Sequence, residues 1–465
     1  MERLLAGLKF SREPVKVPKV HSKYREIKTT IPSPGTESVL QELEKYESRS
    51  MQGQLPILWD RAEGFNVLDK HGNKWIDFTS TIFVANVGHA NPRVLAALRQ
   101  VMEKSLLHSY VYINELRAQY LKMLINFTNG YFQKAFLLSA GTEATEAALK
   151  LMRMYGQKKG KRRPGIICIE GNWHGRTMGA QMMSSNPAQK EWIGYHDPNI
   201  HHIPFPYPWL PDATHGSDFL SRGLHTLLQK GIDIRKDICG FMLETFQGWG
   251  AIFYPKDFVQ SIEAICREND ILLAFDEMQA GFARTGRRFG FEHYDVRADL
   301  ICCGKGIGSG VPLSAVLGSA EVMDLPEVGN MSSTHSANPL VCAAGIATIE
   351  EIENRNLVDE AARKGELLHN ALNKLRDKYK DNISMILGKG MIAAILFRNP
   401  LDGKPDTILP SKIAELCMQK GLLVVHTGRE SIKIGPPLII PDEALYEGIG
   451  VIDEALGEVL TGYND

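Results

Sequence analysis

The 465-residue chain has little of what marks several broad classes of protein. Its 53 lysines and arginines almost balance 54 acids, for a formal net charge of −1 and a pI near 6.9. Nothing in that balance calls for nucleic acid or a membrane surface. No apolar run approaches the ~20 residues that span a bilayer. The seven cysteines (168, 239, 266, 302, 303, 342 and 417) are odd in number and irregular in spacing. They form no CxxC pair and no cysteine–histidine cluster, which argues against a disulfide framework or a zinc site. Most lie in apolar runs such as Gly165–Ile169, as small buried thiols of a reducing compartment do. There is no internal repeat, no low-complexity stretch, and no G-x-G-x-x-G after the first strand with an acid ~20 residues on, so a dinucleotide-binding oxidoreductase is disfavoured. The opening Met1–Phe10 lacks an apolar core and a small-residue cleavage site, and Glu2 and Glu13 oppose a transit peptide. The expected compartment is the cytoplasm.

What is present is ordinary globular material, 44% hydrophobic and 23% charged, enough for a sizeable core. Residues 1–56 are polar, basic and proline-punctuated and read as an arm with one helical stretch, Ser38–Tyr46. Leu58–Gly64 and Val67–Phe78 read as a hairpin closed by His71-Gly72-Asn73, in a segment 57–90 belonging to a smaller domain. From 91 to 340, helical periodicity (Pro92–Glu103, Asn114–Asn126, Glu143–Tyr155) alternates with short β-rich runs (Ala135–Leu138, Gly165–Glu170, Gly240–Glu244, Leu272–Asp276, Leu300–Cys303, Ser314–Gly318). Such alternation predicts βαβ units and a mostly parallel α/β sheet. After a long helix expected over Pro339–Asn354, residues 341–465 interleave amphipathic segments with Ile383–Leu387, Ile392–Phe397 and Leu422–Val425, a smaller α+β domain.

Each strand of the large domain ends in a polar or glycine-rich segment, the edge where α/β sheets bind ligands. The most informative pair is Asp276, closing Ile271–Phe275, and Lys305, 29 residues later in Cys303-Gly304-Lys305-Gly306. A lysine in a glycine loop can form a Schiff base with an aldehyde cofactor, and an aspartate against a pyridine nitrogen keeps that cofactor protonated. The lysine does not fit a P-loop, because Gly306 follows it. Gly141 and Thr142 open a helix whose amides suit a phosphate; Trp173 and His174 follow a strand, Glu244 ends another, and Gln279 follows Asp276. Ser332–Asn338 is a polar stretch before a helix. Taken singly, each is equally a helix cap, a strand-end carboxylate or core filling; their order is the signal.

Together these segments resemble the class III pyridoxal-phosphate aminotransferases of fold type I, from about Ile57 to Leu460. The resemblance implies a large domain built on a mostly parallel seven-stranded sheet and pyridoxal 5′-phosphate as cofactor. It implies Lys305 as the Schiff-base lysine, Asp276 at the pyridine nitrogen, Gly141 and Thr142 at the phosphate, and Trp173 stacked on the ring beside His174. Glu244 is implied as a partner behind the cofactor, Met278 against the ring face and Gln279 at its phenolic oxygen. Thr334 is implied to reach the phosphate of a neighbouring subunit, hence a homodimer with shared sites. The expected reaction is ping-pong exchange between an amino donor and a keto or aldehyde acceptor; the alternative is a racemase or epimerase on the same frame.

Two departures bear on substrate. Relatives that use glutamate commonly carry an arginine before Pro-Pro-Leu and a glutamate after Gln-Gly; here those positions are Lys433 and Trp249. A lysine cannot give the planar bidentate grip of arginine on a carboxylate. Arg176 remains where a distal substrate carboxylate is often bound, and Ile82 is expected to line the pocket. An ω-amine, or an amino acid held through Arg176, is therefore the expected donor.

Overall fold

The structure is a computed structural model that describes residues 10–461 except 52, 212 and 214. The first nine residues, weighed above as a leader, lie outside the described part. The chain divides into two compact units. One holds 92–248 and 252–359, the other the described residues up to Asn91, Trp249–Ala251 and those from Glu360 onward.

The larger unit is built on seven strands: β1 (Lys134–Leu138), β2 (Gly165–Ile169), β3 (Ile200–Ile203), β4 (Ile238–Glu244), β5 (Leu272–Asp276), β6 (Leu300–Cys303) and β7 (Ser314–Gly318). Their order is β1-β7-β6-β5-β4-β2-β3. Strands β3, β2, β4, β5 and β6 run parallel, whereas β7 is antiparallel to both β6 and β1. Strands β2, β4, β5, β6 and β7 are buried throughout, which is why they read as near-continuous apolar runs rather than alternating ones.

Three helices were expected in the first part of this unit, and α1 (Pro92–Glu103), α2 (Glu115–Phe127) and α3 (Gly141–Lys158) are there. Asn114 is the cap of α2, its side chain accepting from the Arg117 amide at 2.8 Å. Helix α3 starts two residues before the expected Glu143, and its face of Ala144, Ala147, Ala148, Leu151 and Met152 packs into the core with Met242, Ala274 and Cys302. Helix α4 (Pro339–Asn354) packs on α1 and α2, so the larger unit continues to Asp359 instead of ending at 340.

The smaller unit contains two sheets. In one, Lys74–Asp77 is central, with Glu26–Ile27 and Asn66–Leu68 antiparallel to it and Leu422–Leu423 parallel. The chain turns at His71-Gly72-Asn73, where a hairpin was expected to close, because Asp69 accepts from the amides of His71 and Asn73 and the strands on either side pair antiparallel. The other sheet orders Ile383–Lys389, Ile392–Phe397, Ser431–Ile434 and Val425–His426, all antiparallel. The expected strand Leu422–Val425 is divided: Leu422–Leu423 pairs in the first sheet and Val425–His426 in the second. Among the described residues no helix is long and apolar enough to cross a membrane.

Candidate active site

The C-terminal edges of β1, β2, β4, β5 and β6 surround a cavity of about 160 Å³. Its lining includes Gly141, Thr142, Trp173, His174, Glu244, Asp276, Met278, Gln279 and Lys305. Nine of the residues singled out from sequence are therefore brought together, although Trp173 and Lys305 stand 132 positions apart in the chain.

Each wall has a local cause. Lys305 stands between Gly304 and Gly306 with φ +48°, a left-handed conformation that costs a side-chain-bearing residue about 1–2 kcal/mol. The loop accepts that strain at the residue facing the cavity. Burial of the ammonium pushes its pKa below the ordinary 10.5, while the carboxylates of Asp276 and Glu244 pull the other way. Asp276 is buried at the end of β5, where Oδ1 accepts from the Met278 amide at 3.1 Å and Oδ2 lies 3.0 Å from His174 Nδ1. The Met278 sulfur lies against two glycines; a methyl placed on Gly141 or on Gly304 would come within 2.7 or 2.4 Å of it. Glu244 accepts from the Trp173 amide at 3.1 Å and from the Gly248 amide at 3.3 Å, joining two strand-end loops.

At the start of α3, Glu143 Oε2 accepts from the amides of Ser139 (2.9 Å) and Ala140 (2.8 Å). The amides of Gly141 and Thr142 have no hydrogen-bond partner among the described residues, as first-turn amides of a helix do not. That leaves two aligned donors and a positive helix end on the cavity wall, the chemistry an anion needs.

Some lining residues carried no sequence signal. Thr245 and Ala280 line the cavity only because they neighbour Glu244 and Gln279. Glu277, turned away from it, is wholly buried and accepts from Thr245 Oγ1 (2.5 Å) and the amides of Gly290 (2.7 Å) and Phe291 (2.8 Å). Burial pushes its pKa up to about 7 in spite of those donors. Between the ordinary 4.5 and about 7 the folded state then holds more proton than the unfolded one, so this group's contribution to stability falls as pH rises through that window. Glu277→Gln should lack that slope. It should also lower the melting temperature, because its NH2 faces an N–H or O–H donor, at a cost of about 1–3 kcal/mol. Calorimetry across the window checks both.

Five expected positions fall elsewhere. Arg176 is exposed, its guanidinium 4.6 Å over the Trp173 ring. Thr334 is exposed and does not line the cavity; its carbonyl accepts from His108 Nε2 at 2.8 Å. Ile82, Trp249 and Lys433 belong to the smaller unit. There Ile82 is 44% exposed in a turn whose four residues, Ser80–Phe83, all have positive φ. Lys433 Nζ stands 4.6 Å over the Phe83 ring, and Arg429 lies 3.7 Å over Trp249.

The class-III aminotransferase family model matches residues 48–456. The chain belongs to that family. It is 32% identical over 447 residues to the 4-aminobutyrate aminotransferase of Mycobacterium leprae, covering 93% of this chain and 98% of that one. It is 31% identical over 406 residues to the acetylornithine aminotransferase of Caldanaerobacter subterraneus, covering 87% and 95%. The solved ornithine aminotransferase of Toxoplasma gondii superposes with a TM-score of 0.81 at 25% identity, over 92% of this chain and 96% of that one. A class III aminotransferase is an enzyme that moves amino groups with pyridoxal phosphate, and the fold is that of fold type I. These curated relatives are named as aminotransferases, which leaves the racemase alternative without support. The aminotransferase's cavity fits its cofactor on its own chemistry: one buried amine, one buried carboxylate and two unspent helix amides line one space.

Proposed function

We propose that Lys305 and Asp276 are the two residues that carry the transamination. The supporting observation is a lysine held in a strained turn with its amine buried in the cavity that Asp276 also lines. Bound pyridoxal phosphate supplies a carbonyl carbon that condenses with amines and a ring that takes up negative charge. Lys305 would hold the cofactor through Nζ until an amino substrate takes its place. Nζ of Lys305, its pKa lowered by burial, would be the base that moves the proton between the substrate carbon and the cofactor. Asp276 holds a proton on the ring nitrogen through its buried carboxylate. Gly141 and Thr142 would donate their amides to the phosphate, and Trp173, with His174 beside it, and Met278 would pack against the ring. Gln279 bonds the phenolic oxygen, and Glu244 fixes the Trp173 loop. Because one donor leaves before the acceptor enters, double-reciprocal plots should be parallel.

The amino donor is a carboxylate-bearing amine that reacts at its far end, as the names of the 4-aminobutyrate, ornithine and acetylornithine relatives suggest for those proteins. Arg176 supports this reading, since no carboxylate among the described residues pairs with it. Lys433 and Trp249, each stacked on a neighbour, stand in place of the arginine–glutamate pair of glutamate-using relatives, and Ile82 adds an apolar wall. The enzyme works as a homodimer in which Thr334 reaches the partner's phosphate. Exposed Met102, Leu106, Leu107, Val111, Tyr112 and Ile113 (97% exposed) support this, because so much apolar surface in one segment calls for a protein partner. The seven free, buried cysteines support a cytoplasmic setting.

The test is borohydride reduction of the purified yellow protein followed by peptide mapping, with the adduct expected on Lys305. An unmodified Lys305 in an active enzyme sinks the assignment. A panel of amino donors should rank ω-amino acids above glutamate; glutamate–2-oxoglutarate exchange as the best half-reaction overturns the substrate reading.

A further inference from the structure

His174 stands one residue beyond Trp173, and its main chain is held on both sides. Its amide donates to Ser184 Oγ at 2.8 Å, and its carbonyl accepts from Thr145 Oγ1 at 2.8 Å. The imidazole therefore has little freedom where it meets Asp276, with Nδ1 3.0 Å from Oδ2. The other ring nitrogen, Nε2, is buried and has no hydrogen-bond partner among the described residues. An N–H at Nε2 would be buried without an acceptor, whereas an N–H at Nδ1 points at a carboxylate, so the proton is placed on Nδ1. Asp276 is then gripped at both oxygens, Oδ2 by His174 and Oδ1 by the Met278 amide at 3.1 Å. Two fixed donors set the plane of its carboxylate.

We infer that His174 is a positioning residue for the reaction: its Nδ1–H clamps Asp276 in the orientation that meets the cofactor's ring nitrogen. The partnerless Nε2 gives it no outlet through which to relay a proton. The inference rests on the reading above that Asp276 faces that nitrogen.

The geometry makes a specific substitution series informative. An asparagine amide nitrogen sits close to the place of Nδ1, whereas a glutamine nitrogen reaches toward the place of Nε2. His174→Asn, His174→Gln, His174→Leu and Asp276→Asn holoenzymes are compared by the absorbance spectrum of the bound cofactor, its rate of loss on dilution, kcat and KM for the amine, and melting of the cofactor-free proteins. The Leu and Gln variants should release cofactor about tenfold faster, the size of one lost charge-assisted hydrogen bond, with kcat reduced and KM little changed. The Asn variant should stay within about threefold of the parent, because it restores the donor. A His174→Leu enzyme with the parent's spectrum and retention, beside a collapsed Asp276→Asn, overturns this inference alone. Equal loss in all three His174 variants, in step with lower melting temperatures, overturns it in favour of packing. If Asp276→Asn leaves both readouts unchanged, the assignment of Asp276 itself fails.

Discussion

Lys305→Met should abolish the reducible adduct and lower kcat by at least about 10⁴-fold, because the proposed mechanism makes one nitrogen both anchor and proton carrier. Methionine keeps the length and volume of the stem, and both residues suffer the same φ of +48°, so strain cancels between parent and variant. The second readout is stability without cofactor. Burial lowers the pKa of Lys305 from the ordinary 10.5, so the folded state holds less proton than the unfolded state at pH values below 10.5. Stability contributed by this group therefore rises with pH across that window. At neutral pH the parent bears the cost of burying an ionisable amine, whichever form it takes, and Lys305→Met should melt at a higher temperature. The advantage should narrow as pH climbs toward 10.5 and the amine discharges. A variant that is inactive but no more stable at neutral pH would show that the amine is solvated in the folded protein. Gained stability with lost activity is the signature of a strained, desolvated functional group.

The reason such a residue can be picked out from sequence is that its surroundings are local. Glycine on both sides of Lys305, an apolar run ending in Asp276 and small residues ahead of α3 are all short-range patterns, and strands buried on both faces announce themselves as apolar runs. Where placement depends on distant partners, the same reasoning stops. His174 and Asp276 are 102 residues apart and meet only because β2 and β5 are both neighbours of β4. The antiparallel course of β7 leaves no mark in Ser314–Gly318, whose composition suits either direction. The left-handed turn at Ser80–Phe83 runs against local preference, since β-branched Thr81 and Ile82 are poorly suited to positive φ. It is held by Ser80 Oγ donating to the Gly435 carbonyl at 2.6 Å and by Phe83 lying where any side chain on Gly435 would be. The division of Leu422–His426 between two sheets is likewise decided by the strands on either side. The local chemistry of the pair proposed as catalytic is readable for these reasons, and the scaffold that aims it is not.

Asp276→Asn is the more revealing of the two central substitutions, because it nearly preserves shape. In the native protein both carboxylate oxygens accept, one from the Met278 amide and one from His174. An asparagine must turn its NH2 toward one of these donors. If it meets the Met278 amide, two N–H groups oppose each other at a buried position. If it meets His174, the imidazole must move its proton to Nε2, which is buried without a partner. Either arrangement leaves an unmet buried donor, and neither leaves a negative charge for the ring nitrogen. Removing one member of a buried charged pair costs about 3–5 kcal/mol, and to the extent that the cost falls on the transition state kcat should drop by roughly 10²–10⁴-fold. Lys305 should still form its reducible adduct, so borohydride labelling separates this variant from Lys305→Met. KM for the amine should change little, since Arg176, not Asp276, is the group assigned to the substrate. Asp276→Glu keeps the charge but lengthens the stem by one methylene, which His174 and Met278, fixed by their own main chains, cannot follow. It should therefore recover only part of the loss, and full recovery would mean that charge alone, without position, is what the site requires.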